Sequence, residues 1–187
     1  MSGVFVAVVG PSGVGKDSLI DFARERLEPG GRVTFVRRVV TREADGGSED
    51  HDSMDSAAFA EAEAAGAFAL NWDAHGLRYG LPIALEADLA AGRVVVANLS
   101  RGVIPTLLEA YPQALVVLVT AERDIIERRL AGRGRESADS IRSRLDRRVA
   151  DKLPASTVAI DNSGALDVAG AQFVRLLTDA AGLVERV

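Results

Sequence analysis

The 187-residue chain has no cysteine, only two histidines and only nine aromatic residues. Without cysteine there is no disulfide framework, no thiolate nucleophile and no cysteine-held zinc, and two histidines leave little for a metal site built on imidazole. Magnesium, which prefers oxygen ligands, is the metal these absences still admit. Lysine is equally scarce, Lys16 and Lys152 standing against twenty arginines. A net charge of −5 and a pI near 5.1 argue against a surface that coats nucleic acid or an anionic membrane, although local basic patches remain open. Long apolar runs are missing too. The first, Val4 to Val9, has no basic lead-in and no cleavage-type ending, and no stretch approaches the roughly 20 residues of a membrane helix. The expectation is a cytoplasmic protein.

The chain is 48% hydrophobic, enough to fill one core, and neither linker nor internal repeat divides it; a single domain over residues 1–187 is expected. Val4 to Val9 is β-branched and apolar throughout, the pattern of a strand buried on both faces. Glycines follow, then a helical stripe of Leu19, Ile20, Ala23 and Leu27, stopped by Pro29-Gly30-Gly31. Val33 to Val40 reads as one extended segment, Thr41 to Asp55 as a polar loop, and Ser56 as the cap of a helix over Ala57 to Ala65. Short strands are predicted at Phe68 to Trp72 and Leu77 to Tyr79. Beyond them strands at Val94 to Ala97, Leu115 to Val119 and Thr157 to Ile160 alternate with helices at Ile83 to Ala91, Ile104 to Ala110, Arg123 to Leu130, Ala138 to Lys152 and a last one ending at Leu183. That alternation predicts an α/β fold, a parallel sheet covered on both faces.

Gly10-Pro11-Ser12-Gly13-Val14-Gly15-Lys16 matches the G-x-x-x-x-G-K core of the Walker A motif, after a buried strand and before a helix, where such a loop has to be. Glycines let the backbone curl so that successive N–H groups face phosphate oxygens, and the helix N-terminus adds partial positive charge. Lys16 would follow the negative charge of the β- and γ-phosphates as it shifts in the transition state. A ligand-free glycine turn is the bland alternative. Asp17 stands where Ser or Thr usually offers a hydroxyl to magnesium, with Ser18 next. Either could serve the metal, or Asp17 could simply favour the helix N-terminus.

Beyond this loop the chain resembles the guanylate kinase family over most of its length. Thr41-Arg42 is similar to that family's phosphate-binding Thr-Arg, Phe68 through Gly76 and Tyr79-Gly80 to its substrate lobe, and Arg129-Leu130 with Arg133-Gly134-Arg135-Glu136-Ser137 to its lid. Ile141 with Arg144-Leu145 resembles the arginine helix that follows the lid. The resemblance implies a three-layer P-loop NTPase fold with a substrate lobe at about 41–80 and a lid at about 131–140. The guanine-reading positions depart from it. Alignment puts Leu70 where a Glu would pair with guanine, the strand end has become Ala97 to Gly102, and Glu49-Asp50-His51-Asp52 replaces the second arginine and the tyrosine of the phosphate loop. A guanine edge left unpaired costs about 1–3 kcal/mol per group, so guanine should be rejected.

Those departures, with Gly-Lys-Asp-Ser at the P-loop, Ser48-Glu49-Asp50-His51, His75 to Gly80 and Gly134 to Ser137, are similar to the ribose 1,5-bisphosphate phosphokinase family. This resemblance implies transfer of the ATP γ-phosphoryl to ribose 1,5-bisphosphate, giving 5-phosphoribosyl 1-diphosphate in phosphonate breakdown, with ATP and Mg2+ bound. It implies catalytic roles for Lys16, Arg133 and Arg144, nucleotide contacts from residues 10–18 with Arg133 and Arg135, and acceptor contacts from Arg42, Asp50, His51, Tyr79 and Arg144. Nine arginines lie between Arg123 and Arg148, too many for one phosphoryl. Arg123, Arg128, Arg142 and Arg147 are expected to pair with nearby acids on a solvated face, with Arg148 undecided. His75 is expected to shape a turn, and Trp72 to serve the core. The alternatives are a guanylate-type nucleoside monophosphate kinase and a non-catalytic binding module, but modules typically degrade the P-loop. A GTPase switch would need an Asn-Lys-x-Asp segment that is absent. A homodimer is left open.

Overall fold

The computed structural model describes residues 3–42, 51–132 and 153–185. Five strands form a parallel sheet in the order β2-β7-β1-β8-β9: β1 (Val4–Val9), β2 (Val33–Phe35), β7 (Val94–Asn98), β8 (Leu115–Thr120) and β9 (Val158–Asp161). Period-two alternation feeds both faces at once. Val6 and Val8 of β1, Val94 and Val96 of β7, and Val117 and Val119 of β8 join one core. Phe5, Ala7, Val9, Val95, Ala97 and Val116 join a second core on the other face. The first core is closed by α1 (Lys16–Leu27), α5 (Arg123–Gly132) and α6 (Leu166–Glu185), the second by α3 (Leu85–Ala90) and α4 (Ile104–Ala110). This is the three-layer α/β arrangement that the alternating pattern predicts.

A second sheet, order β4-β3-β6-β5, adds β3 (Arg38–Val40), β4 (His51–Ser53), β5 (Phe68–Ala74) and β6 (Leu77–Pro82), with α2 (Ser56–Ala64) beside it. The extended segment expected from Val33 to Val40 is therefore two strands in two sheets, with residues 36 and 37 as the crossing. The loop expected over 41–55 contains β4, an edge strand of polar residues parallel to β3. The cap of α2 is Asp55 rather than Ser56: its Oδ1 accepts from the amides of Ala57 (2.9 Å) and Ala58 (2.8 Å). His75 and Gly76 take φ of 55° and 76° and make the tight hairpin between β5 and β6, the turn role expected of His75. Gly80 is a glycine for steric reasons, since a Cβ there would lie 2.6 Å from the Phe68 ring. Away from these strands, Tyr111 stacks on Phe5 at 5.2 Å and donates to Glu86; burial and that carboxylate push its hydroxyl pKa well up. Arg123 with Glu127 and Arg128 with Asp124, each at 3.0 Å, are the exposed i,i+4 pairs expected of α5. Among the described residues no helix is long and apolar enough to cross a membrane.

Candidate active site

Parallel strands in an open α/β sheet leave a crevice outside their carboxyl ends. β1 and β7 run in register, Val8 beside Asn98, so Gly10 and Asn98 emerge together into a cleft of about 610 Å³ between the two sheets. One wall is the loop 10–16. Gly15, at φ 92° and ψ 29°, caps α1, and no side chain caps that first turn. Its amides are thus left for an anion. Lys16 folds back over the loop, Nζ donating to the carbonyls of Gly10 (2.9 Å) and Pro11 (3.1 Å), while Pro11, Ser12, Gly13 and Asp17 line the cleft.

The loop is braced from behind. Asn162, 2% exposed at the end of β9, donates from Nδ2 to the Val14 carbonyl at 2.8 Å. Arg129 of α5 donates from Nη1 to the same carbonyl (3.1 Å) and from Nη2 to the Asn162 carbonyl (3.0 Å). A Cβ on Gly15 would lie 2.5 Å from Asn162 Nδ2, so this position needs glycine for space as well as for its positive φ. Val14 itself is fully buried; the loop's central side chain is core, and its backbone is the functional part. Sequence reasoning assigned no role to Asn162 and saw Arg129 only as the flank of a lid.

The opposite wall comes from the small sheet and the turn after β7. Arg38, Arg42 and Arg101 line it, each half-buried. Trp72 stacks on Tyr79, centroids 5.3 Å apart and planes 9° apart, and its Nε1 donates to Ser100 Oγ at 2.9 Å. Trp72 therefore does more than the core duty expected of it: it packs against the second core and lines the cleft. Leu70, expected to front the guanine edge, is instead 5% exposed within that core; Asn71, Trp72 and Asp73 are the β5 residues that line the cleft.

Asp17 joins the two walls, its Oδ1 accepting from Asn98 Nδ2 at 2.7 Å. Asn98 Oδ1 is buried with no hydrogen-bond partner, an oxygen beside a carboxylate with nothing to accept from. Among the described residues no cluster of three or more His, Cys, Asp and Glu could cage a metal. Those donors fit magnesium, which keeps several waters and takes substrate phosphates in place of a protein cage. Ser18 is exposed and His51 is in β4; neither lines the cleft, whereas Arg42 and Tyr79 do. Asp50, Arg133, Arg135, Arg144 and Arg148, with the helix expected over 138–152, lie outside the described residues.

The chain is similar over most of its length to several named proteins. It is 50% identical over 181 residues to the ribose 1,5-bisphosphate phosphokinase PhnN of Chelativorans sp. (strain BNC1), covering 96% of this chain and 87% of that one. It is 48% identical to the protein of the same name from Brucella melitensis biotype 2 (strain ATCC 23457), covering 96% and 94%. No family model matches the chain. Among solved structures, guanylate kinase from Anaplasma phagocytophilum superposes with a TM-score of 0.68 at 16% identity, covering 95% of this chain and 86% of that one. A gluconokinase from Sinorhizobium meliloti 1021 gives 0.51 at 20% identity, covering 99% and 95%. At such identities these two likenesses establish the fold alone.

Proposed function

Because the chain belongs to the ribose 1,5-bisphosphate phosphokinase family, we propose that it transfers the γ-phosphoryl of ATP to ribose 1,5-bisphosphate, giving 5-phosphoribosyl 1-diphosphate and ADP in the cytoplasmic breakdown of phosphonates. The observation that carries the reading is a single cleft with a phosphate-cradling loop on one wall and Arg38, Arg42 and Arg101 on the other. A donor polyphosphate and an anionic acceptor would face each other across it.

The amides of residues 10–16 and the uncapped start of α1 bind the donor phosphates, and the Lys16 ammonium exchanges its loop carbonyls for β- and γ-oxygens. Arg42 and Tyr79 hold the acceptor. An acceptor phosphate oxygen attacks the γ-phosphorus in line; one P–O bond forms, the bond to the β-phosphate oxygen breaks, and ADP leaves. The attacking oxygen is already anionic, so no strong general base is required. Magnesium, when bound with the nucleotide, neutralises charge on its phosphates, and Asp17 with the Asn98 side-chain oxygen would hold it. Ser18 is the less favoured donor, being exposed and off the cleft. Arg133 and Arg144 keep the role that the resemblance implies, spreading the charge of the transferring phosphoryl, with Arg135 on the nucleotide and Asp50 on the acceptor.

The test is purified protein with ATP, Mg2+ and each acceptor in turn, following ADP release and the acceptor product. Ribose 1,5-bisphosphate should turn over at least ~100-fold faster, as kcat/KM, than GMP, the discrimination available when buried polar groups are mismatched. Comparable turnover of GMP would overturn the substrate and leave the fold standing.

A further inference from the structure

Arg38 opens β3, half-buried, and lines the cleft. Two of its contacts hold the guanidinium in place. Nη1 donates to the backbone carbonyl of Asn98 at 3.5 Å, and the guanidinium carbon lies 5.3 Å from the centre of the Tyr79 ring. Trp72 stacks on that same ring and is tied through Nε1 to Ser100, so the Arg-Tyr-Trp group is fastened at one end to the last residue of β7 and at the other to the turn after it. A guanidinium held over an aromatic ring loses little rotamer freedom when it meets an anion, and it presents a flat fork suited to two phosphate oxygens.

Arg42 also lines the cleft, four positions further along the same segment. β3 ends at Val40 and the chain bends at 41–42, so Arg38 enters the cleft from the strand and Arg42 from the bend that follows it. Two arginines reaching one cleft from separate points suit a small molecule with an anion at each end better than one with a single phosphate. We propose that Arg38 binds the phosphate of the acceptor that does not react, leaving the reacting phosphate to Arg42, and so makes the site specific for a pentose phosphorylated at both ends. This rests on the kinase reading above.

The experiment is calorimetric titration of wild type and Arg38→Ala with ribose 1,5-bisphosphate and with ribose 1-phosphate, which lacks the second phosphate, alongside turnover of the bisphosphate. Arg38→Ala should weaken bisphosphate binding about 10- to 100-fold and raise its KM alike, the loss of a charge-assisted pair, while changing ribose 1-phosphate affinity and kcat less than about threefold. Arg38→Lys should fall between, keeping the charge but losing the fork; it also carries the test should the alanine variant fail to fold. Equal weakening of both ligands, or of neither, overturns the proposal while leaving the kinase reading intact, provided wild type phosphorylates the bisphosphate. If wild type neither binds nor phosphorylates it, both fall.

Discussion

The two walls of the cleft recognise phosphate by different means. On the P-loop side the working groups are mainly backbone amides, and the side chains other than Lys16 and Asp17 act by holding the loop: Val14 fills the core, while Asn162 and Arg129 grip its carbonyl. On the lobe side the working groups are side chains, delivered one at a time by β3, β5, β6 and the turn after β7. A backbone site needs a contiguous stretch of sequence with glycines at fixed offsets. A side-chain site needs only that separate elements end near each other, so it can be rebuilt for a new acceptor while the donor site stays fixed.

If that contrast is right, damage on the loop side should be severe and insensitive to acceptor, and damage on the lobe side graded and specific to it. The largest effect is expected for Lys16→Ala. kcat should fall by about 10³-fold or more while the protein stays folded, because the ammonium donates to carbonyls of its own loop and leaves the core intact. Near-normal turnover would remove the P-loop mechanism. Next is Gly15→Ala, which forces a side chain into a positive-φ position against Asn162. It should destabilise by roughly 1–3 kcal/mol and weaken ATP binding for every acceptor alike, measured by denaturation and nucleotide titration. Wild-type ATP affinity in that variant would show that the brace does not set the loop. The smallest effect is expected for Trp72→Phe and Ser100→Ala, which each remove one hydrogen bond while leaving the Tyr79 stack or its neighbour in place. Each should cost about 0.5–1.5 kcal/mol in acceptor binding, with the double variant no worse than either. Additive losses would mean that the indole and the hydroxyl act separately.

The same contrast explains what could be read from the sequence. β1, the loop and α1 were legible because a doubly buried parallel strand must be apolar throughout and the phosphate loop must follow it directly. Arg38, Asn98, Ser100 and Asn162 carried no local signal. Asn162 meets Val14 across 148 positions of chain, and a lone Asn after a strand has no pattern to distinguish it. Leu70 misled because aligning on His75-Gly76 fixes a position along β5 but not what that side chain faces; here it joins the core. The segment 33–40 looked continuous because β-propensity reports extended backbone and is silent about which sheet receives it. β4 was hidden by composition: His51-Asp52-Ser53 is polar, and an edge strand in solvent needs no apolar residue to pair.

Trp72 is the sole indole of the chain and belongs to the acceptor wall, one hydrogen bond from the turn after β7. The protein thus carries its own optical reporter. Emission excited at the red edge of its near-ultraviolet absorption originates from that wall alone, so a rapid-mixing trace records sugar arrival without any attached dye and leaves events confined to the nucleotide side dark.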